Sequence, residues 1–313
     1  MLGGIILKIV DLHCDTISSL SRNGALLLKN EAQFDLERAR TANVCLQFFA
    51  LFTMPADSNS SLRQILKQVE KFHQEIDSNA AYAYHLKNSK DLSATCNNDK
   101  LACILHLEGA ECLGTDMEIL RLLHRLGLRS MGLTCNHRNQ LGDGVGEGIG
   151  AGGLSRKGKE VVEEMERLRI MLDLAHISEK SFYDALEYYS KPILVTHANA
   201  RALCPHRRNL DDTQLLSLAE HGGLVGITQV EDFVKEKHAT IEDMLDHIVY
   251  ITNLIGVEHV ALGSDFDGAD NMVISQVDGY ADLPSLLNKR GFTQKETEMI
   301  LGKNVLSIIK QIL

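Results

Sequence analysis

Short apolar runs recur along the 313-residue chain, and most of them are apolar throughout instead of alternating with polar residues. Eight such runs lie near Ile6–Leu12, Val44–Leu51, Leu101–Leu107, Arg129–Thr134, Ile170–Leu174, Ile193–Thr196, Leu224–Thr228 and His259–Leu262. Runs of this kind predict parallel strands buried on both faces. The stretches between them carry a helical period. Ser61–His85 places Leu62, Ile65, Leu66, Val69, Phe72 and Ile76 on one stripe, and Gly158–Leu168, Glu179–Tyr188, Asp211–His221 and Thr240–Ile255 behave alike. Asp211-Asp-Thr-Gln ahead of two leucines reads as a helix start, and Thr293–Leu313 as two closing helices.

Strand–helix alternation repeated eight times favours a closed (β/α)8 TIM barrel over an open doubly wound sheet. The chain has four prolines and shows no linker or internal repeat, so one catalytic domain over residues 1–313 is expected. The glycine-dense segment Asn136–Gly153 predicts a long, mobile loop.

Composition narrows the class. Hydrophobic residues make up 44% and charged residues 24%, as in an ordinary globular protein. The net charge of −10 argues against nucleic acid and anionic lipid as partners, because both need clustered Lys and Arg. The seven cysteines (Cys14, Cys45, Cys96, Cys103, Cys112, Cys135 and Cys204) are odd in number and form no C-x-x-C pair, so free thiols in a reducing compartment are expected. The first residues lack a basic region and a small-residue cleavage site, and no run reaches a membrane span. A cytoplasmic protein is the default expectation.

Metal-type side chains gather at the ends of the strand runs: Asp11-Leu-His13-Cys-Asp15, His106-Leu-Glu108, Asp173-Leu-Ala-His176, Thr196-His197 and Ser264-Asp265-Phe-Asp267. In a barrel all those ends open on one face, where barrel enzymes place their chemistry. His13 and Asp15 point the same way on an extended segment, and imidazole with carboxylate suits zinc. His176 and His197 add two nitrogen donors, and Glu108 can bridge. The expected sites are His13, Asp15 and Glu108 for one divalent ion and Glu108, His176 and His197 for a second. Two ions roughly 3.5–4 Å apart can share a hydroxide and polarise a carbonyl. Asp265 then suits proton transfer to a leaving amine.

Any one of these residues taken alone reads more readily as a cap or a solvated loop residue. The ordered set is what points to metal. His106 reads as a structural histidine, Asp173 as a buried hydrogen-bonded carboxylate, and Asp267 as a turn cap beside Gly268. His73, His85, His124, His221 and His247 fall in helical patterns and read as surface residues.

At these residues the sequence resembles the renal (membrane) dipeptidase family of zinc metallopeptidases, over almost the whole chain. The resemblance rests on Asp11-Leu-His13-Cys-Asp15, Leu107-Glu108-Gly109, Asp173-Leu-Ala-His176-Ile-Ser, Thr196-His197-Ala-Asn-Ala-Arg-Ala-Leu-Cys204 with Arg208-Asn209, and Gly263-Ser-Asp265-Phe-Asp-Gly268. It implies a metallo-dependent hydrolase barrel, two Zn2+ ions, and hydrolysis of dipeptides, including those with a C-terminal D-residue. It implies that Arg208 binds the substrate carboxylate, for which a guanidinium fork is shaped, that Asp265 stands near the substrate amine, and it allows a homodimer. Arg207 reads as the surface arginine of the pair. Two positions depart from the family pattern. Cys135 stands where the family often has a histidine that contacts substrate; either His137, two residues on, reaches the same space, or the role is lost or reassigned. Thr228-Gln229-Val230 replaces an aromatic segment, so a tyrosine contact is expected to be missing.

A second reading is another two-metal amidohydrolase, a deacetylase or lactonase. Those commonly bridge their metals with a carboxylated lysine, and Glu108 at the bridging position favours the dipeptidase. A third reading is a non-catalytic metal-binding relative. It has the altered Cys135 position in its favour and the retained Asp265 against it.

Overall fold

The computed structural model describes residues 7–92 and 100–313. Ile6, at the start of the first expected strand, and Cys96 lie outside them.

Nine parallel strands are present among the described residues: β1 (Ile9–Cys14), β2 (Val44–Phe52), β3 (Ala83–His85), β4 (Leu101–Glu108), β5 (Leu128–Gly132), β6 (Met171–Asp173), β7 (Leu194–Ala198), β8 (Leu224–Ile227) and β9 (Val260–Leu262). Eight of them close a barrel in the order β1-β2-β4-β5-β6-β7-β8-β9, with β9 pairing back to β1 through Asp11 and Leu262. β3 pairs with the first residues of β4, Ala83 opposite Leu101 and His85 opposite Cys103.

The expected helix Ser61–His85 is corrected at its end. The helix runs Ser58–Ser78, capped by Asp57, and the last three residues of the expected range form β3. A helical period in the sequence does not mark its own end when an edge strand follows closely. The two closing helices are one run, in which a π-turn, Met299–Lys303, joins Gln294–Glu298 to Asn304–Ile312. The other helices fall where the apolar period placed them, at Arg156–Leu168, Glu179–Tyr188, Asp212–Glu220 and Ile241–Ile255.

Side chains alternate along a strand, so each strand feeds two cores. On β4, Leu101, Cys103, Leu105 and Leu107 pack outward against the helices. Ala102 and Ile104 face the barrel interior with Val10, Leu12, Leu46, Phe48, Met171, Leu194, Leu224 and Ala261. The helix Asn304–Ile312 packs Val305, Ile308, Ile309 and Ile312 onto that inner group. Continuing the parity, His106 and Glu108 also face inward, one layer and two layers further along. The bottom of the barrel is therefore filled by apolar side chains and the top by titratable ones.

β7, β8 and β9 approach closely around Thr196. A Cβ at Gly226 would stand 2.1 Å from the Thr196 carbonyl oxygen, and one at Gly263 would stand 1.7 Å away. Only glycine leaves room there, which brings the end of β9 against His197.

The segment Asn136–Gly153 is knit by its own hydrogen bonds. Gly146 N–H donates to the Asn136 carbonyl (2.7 Å) and Val145 N–H to the His176 carbonyl (2.8 Å). Arg138 pairs with Asp143, whose carbonyl accepts from Ser178 N–H (2.9 Å). The segment is thus fastened to the turn that carries His176. No helix of the described residues is long and apolar enough to cross a membrane.

Candidate metal centre

The expected ligands come together at the C-terminal mouth of the barrel. His13 lies near the end of β1, where the pairing register with β2 shifts between Asp11 and Cys14, and Asp15 follows it at the start of the helix Thr16–Asn23. Glu108 is the last residue of β4, and His197 lies on β7. His176 and Asp265 sit in the turns after β6 and β9, with φ of +64° and +69°. A left-handed backbone costs a non-glycine residue on the order of 1 kcal/mol, and here it aims two polar side chains into the barrel mouth.

The distances are short. Nε2 of His13 lies 3.3 Å from Asp15 Oδ2, 3.6 Å from Glu108 Oε2 and 3.7 Å from Asp265 Oδ1. Nε2 of His176 lies 2.8 Å from both Glu108 Oε1 and His197 Nε2. Three groups of donor atoms fit within 4.8 Å: His13, Asp15 and Glu108; Glu108, His176 and His197; and His13, His197 and Asp265. The first two are the expected pair of sites, with Glu108 common to both.

The electrostatics fit bound cations. Burial, reinforced by the Glu108 charge, raises the Asp15 carboxyl above its ordinary range. Burial and repulsion from Asp15 and Glu108 push Asp265 up to about 8. Such shifts mark negative charge that lacks a counterion. Burial opposes a proton on His13, but Asp15 and Glu108 outweigh it and raise that imidazole well above its usual range. A metal ion would take that proton's place. Burial, with Arg208 close by, lowers His176 to about 4, and burial with the nearby positive groups lowers His197 well below its ordinary value. Both imidazoles are therefore neutral, the form that binds metal.

Their outer nitrogens are held. His176 Nδ1 lies 2.9 Å from Asn136 Oδ1, an oxygen that can only accept, so Nδ1 carries the hydrogen and Nε2 keeps its lone pair. His197 Nδ1 lies 2.9 Å from Thr196 Oγ1. His106 is wholly buried, 3.0 Å from Ser130 Oγ and 3.4 Å from Asp173 Oδ2, which matches its structural reading. Asp173 accepts from Ala175 N–H, Thr196 N–H and Thr196 Oγ1. Asp267 accepts from Thr16 Oγ1 (2.6 Å) and Gln33 N–H (2.7 Å) instead of capping Gly268, whose N–H bonds the Asp265 carbonyl.

A cavity of about 470 Å³ opens over these groups, lined among others by Asp15, Glu108, Cys135, Asn136, His176, Arg208, Val230, Phe233 and Asp265. Arg208 is 5% exposed, its Nη2 donates to the His197 carbonyl (3.1 Å), and its buried Nε has no hydrogen-bond partner. Arg207 is exposed, as expected. Cys135 lies 3.9 Å from Glu108 Oε1 and 3.6 Å from His176 Nδ1. Burial and the Glu108 charge hold its thiol protonated.

His137 is exposed and does not line the cavity. Its neighbour Asn136 lines the cavity instead, next to Cys135, with its carbonyl held by Gly146 N–H and its side chain against His176. In Thr228-Gln229-Val230 only Val230 lines the cavity, while Gln229 Nε2 donates to Tyr280 (2.6 Å). An aromatic wall is nonetheless present. Phe233 lines the cavity, with the Arg208 guanidinium 5.5 Å from its ring centre and His206 stacked on it. Sequence reasoning missed Asn136 and Phe233. Asn136 had a weak signal, adjacency to Cys135, and Phe233 had none. The expected surface positions of His247 and His85 are also corrected. His247 is buried, accepting from Ala200 N–H at Nδ1 and bonding the Val234 carbonyl through Nε2. His85 lies in β3 against Gly127.

Fold and site together define a (β/α)8 protein whose mouth carries a set of histidine and carboxylate donors suited to divalent metal. The sequence profile of the membrane dipeptidase family (Peptidase family M19) matches residues 6–313, and the chain belongs to that family. It is 32% identical to an uncharacterized dipeptidase of Schizosaccharomyces pombe, over 97% of this chain and 80% of that protein. It is 30% identical to a dipeptidase of Claviceps purpurea over 81% of this chain, a match that spans 61% of that longer protein. A Rhodobacter sphaeroides metallopeptidase, solved with a phosphinate mimic of the dipeptide L-Ala-D-Ala, superposes with a TM-score of 0.92 at 27% identity, over 98% of this chain and 99% of that one.

Proposed function

We propose that the protein is a binuclear zinc dipeptidase. The observation that carries this reading is the placement of both donor groups and of the buried, unpartnered Arg208 nitrogen in one cavity. His13, Asp15 and Glu108 would hold one ion, and Glu108, His176 and His197 the other. Divalent ions there supply two things: an acidified water for attack and a polarised scissile carbonyl.

The chain's own residues do the rest. Arg208 takes the C-terminal carboxylate of the dipeptide through its free Nε and fixes the register of the substrate. Phe233 and Val230 shield that pair from water. Asp265 carries the proton. Its carboxylate accepts one from the attacking water and returns it to the leaving amine as the C–N bond breaks. Cations beside Asp265 would lower its raised pKa, a direction that suits a group that must both take and give a proton. A substrate held by its carboxylate and its carbonyl tolerates either configuration at the C-terminal residue. The ligand of the Rhodobacter enzyme, a mimic of L-Ala-D-Ala, is consistent with this.

The test is hydrolysis of a panel of L–L and L–D dipeptides by zinc-reconstituted protein, with metal content measured on the same sample. Turnover with about two metals per chain supports the reading. Two metals without turnover of any dipeptide would refute it and favour another amide or ester substrate.

A further inference from the structure

The cavity holds a second arginine that the proposed mechanism leaves unused. Arg22 sits in the last turn of the helix Thr16–Asn23 and lines the cavity on the β1 side. Side chains on a helix lean back toward its N-terminus, and this one does: Arg22 Nη1 lies 3.4 Å from Ser18 Oγ. Ser18 Oγ in turn lies 3.2 Å from Asp15 Oδ1. The guanidinium therefore stands just above the first candidate metal group. Its bond to Ser18 is long, and it forms no ion pair with any carboxylate of the described residues. Arg22 is exposed at the cavity rim, and apart from Ser18 its guanidinium has no hydrogen-bond partner among the described residues.

Every other charged group lining that cavity already has a task. Asp15, Glu108 and Asp265 belong to the candidate metal groups, Asp267 is bonded by Thr16 and Gln33, and Arg208 faces the substrate carboxylate. The wall supplied by β2 and the helix after it, Phe52, Thr53, Met54, Gln64 and Gln68, carries no charge. Gln68 is used up, bonding both the N–H and the carbonyl of Phe52.

The two arginines line the one cavity from different elements. Arg208 adjoins His197 on β7, and Arg22 stands beyond Asp15 after β1. A dipeptide whose carboxylate rests on Arg208 and whose carbonyl lies over Glu108 directs its amino-terminal residue toward Asp15, Ser18 and Arg22. We infer that Arg22 selects dipeptides with an acidic amino-terminal side chain, aspartyl or glutamyl, by pairing with that carboxylate. This rests on the dipeptidase reading and adds the substrate class to it.

The pair would be partly exposed, which limits its strength and makes it sensitive to salt. The preference for Glu-Ala over its isosteric amide Gln-Ala is expected to be about fivefold in kcat/KM, expressed mainly in KM.

The experiment measures kcat/KM for Glu-Ala, Gln-Ala, Ala-Glu and Ala-Gln with zinc-loaded enzyme, for the wild type, Arg22→Gln and Arg22→Lys. The expected result is a Glu-Ala to Gln-Ala ratio near five that shrinks in 0.5 M salt, falls to about one in Arg22→Gln and is largely kept in Arg22→Lys. Equal turnover of Glu-Ala and Gln-Ala by the wild type overturns the inference while leaving the dipeptidase reading intact. So does a ratio unchanged in Arg22→Gln, or a preference confined to the Ala-Glu and Ala-Gln pair. No turnover of any of the four, nor of Ala-Ala, overturns both.

Discussion

Thr196 Oγ1 donates a 2.7 Å hydrogen bond to Asp173 Oδ2, and the same oxygen lies 2.9 Å from the Nδ1 of His197. Because the hydroxyl hydrogen is spent on Asp173, Thr196 can only accept from the imidazole. His197 is thereby fixed with its hydrogen on Nδ1 and its lone pair on Nε2, the atom that faces His176 and Glu108. Thr196→Val keeps the shape and breaks the chain. It is expected to weaken metal binding by about ten- to a hundredfold in an equilibrium competition with a chelator, and Thr196→Ser to restore it. Unchanged metal affinity in Thr196→Val would show that Thr196 has no part in orienting the ligand.

In the proposed mechanism Asp265 carries the proton, and the two expected donor groups, His13 with Asp15 and Glu108, and Glu108 with His176 and His197, do not include it. Asp265→Asn is expected to keep about two metals per chain and to lose roughly a hundredfold or more in kcat. Turnover close to that of the wild type would remove Asp265 from the mechanism.

Arg208 is buried with a free nitrogen, so its loss should be felt in substrate binding before chemistry. For Arg208→Gln, kcat/KM toward dipeptides is expected to fall by roughly a hundredfold, the worth of a buried charge-assisted pair. Dipeptide amides, which lack the carboxylate, should lose far less. An equal loss for both would mean that Arg208 does not clamp the carboxylate.

His85 makes a separate prediction about stability. Burial, with Lys87 adding to it, lowers this imidazole to about 3, far below the ordinary value of 6.5. The folded state therefore excludes a proton that the unfolded chain accepts between those values. Stability from this group is complete above the unfolded pKa and is lost as pH falls toward 3. At about pH 5 the loss should reach roughly 2 kcal/mol. Urea unfolding of metal-free protein at neutral and acid pH checks it. The decrement should be smaller in His85→Gln, whose amide can still bond the Gly127 carbonyl. An equal decrement in both proteins would locate the acid sensitivity elsewhere.

Metal should stabilise the chain as well as activate it, because the donor set exists only in the folded state. Removal with a chelator is expected to abolish dipeptide turnover and to lower the melting temperature, both restored by zinc. Full turnover after verified metal removal would contradict the proposed mechanism.

The sequence by itself determined the barrel and the list of donors. Parallel strands buried on both faces leave uninterrupted apolar runs, and those runs end where the chain meets the mouth, so His13, Glu108, His176 and His197 announced their own positions. The tertiary structure decided what surrounds them. β3 was hidden in a helical period because an edge strand of three residues has too few positions to set a period of its own. The choice of Asn136 over His137 depended on how the turn after β5 is fastened to the His176 segment. Phe233 reached the cavity only because the short helix after β8 folds back over Arg208. Partners such as Thr196 for His197, and the open face of Arg22 above Asp15, arise between elements far apart in the chain. Local pattern fixes which face a residue takes on its own element, whereas the packing of elements fixes what that face meets.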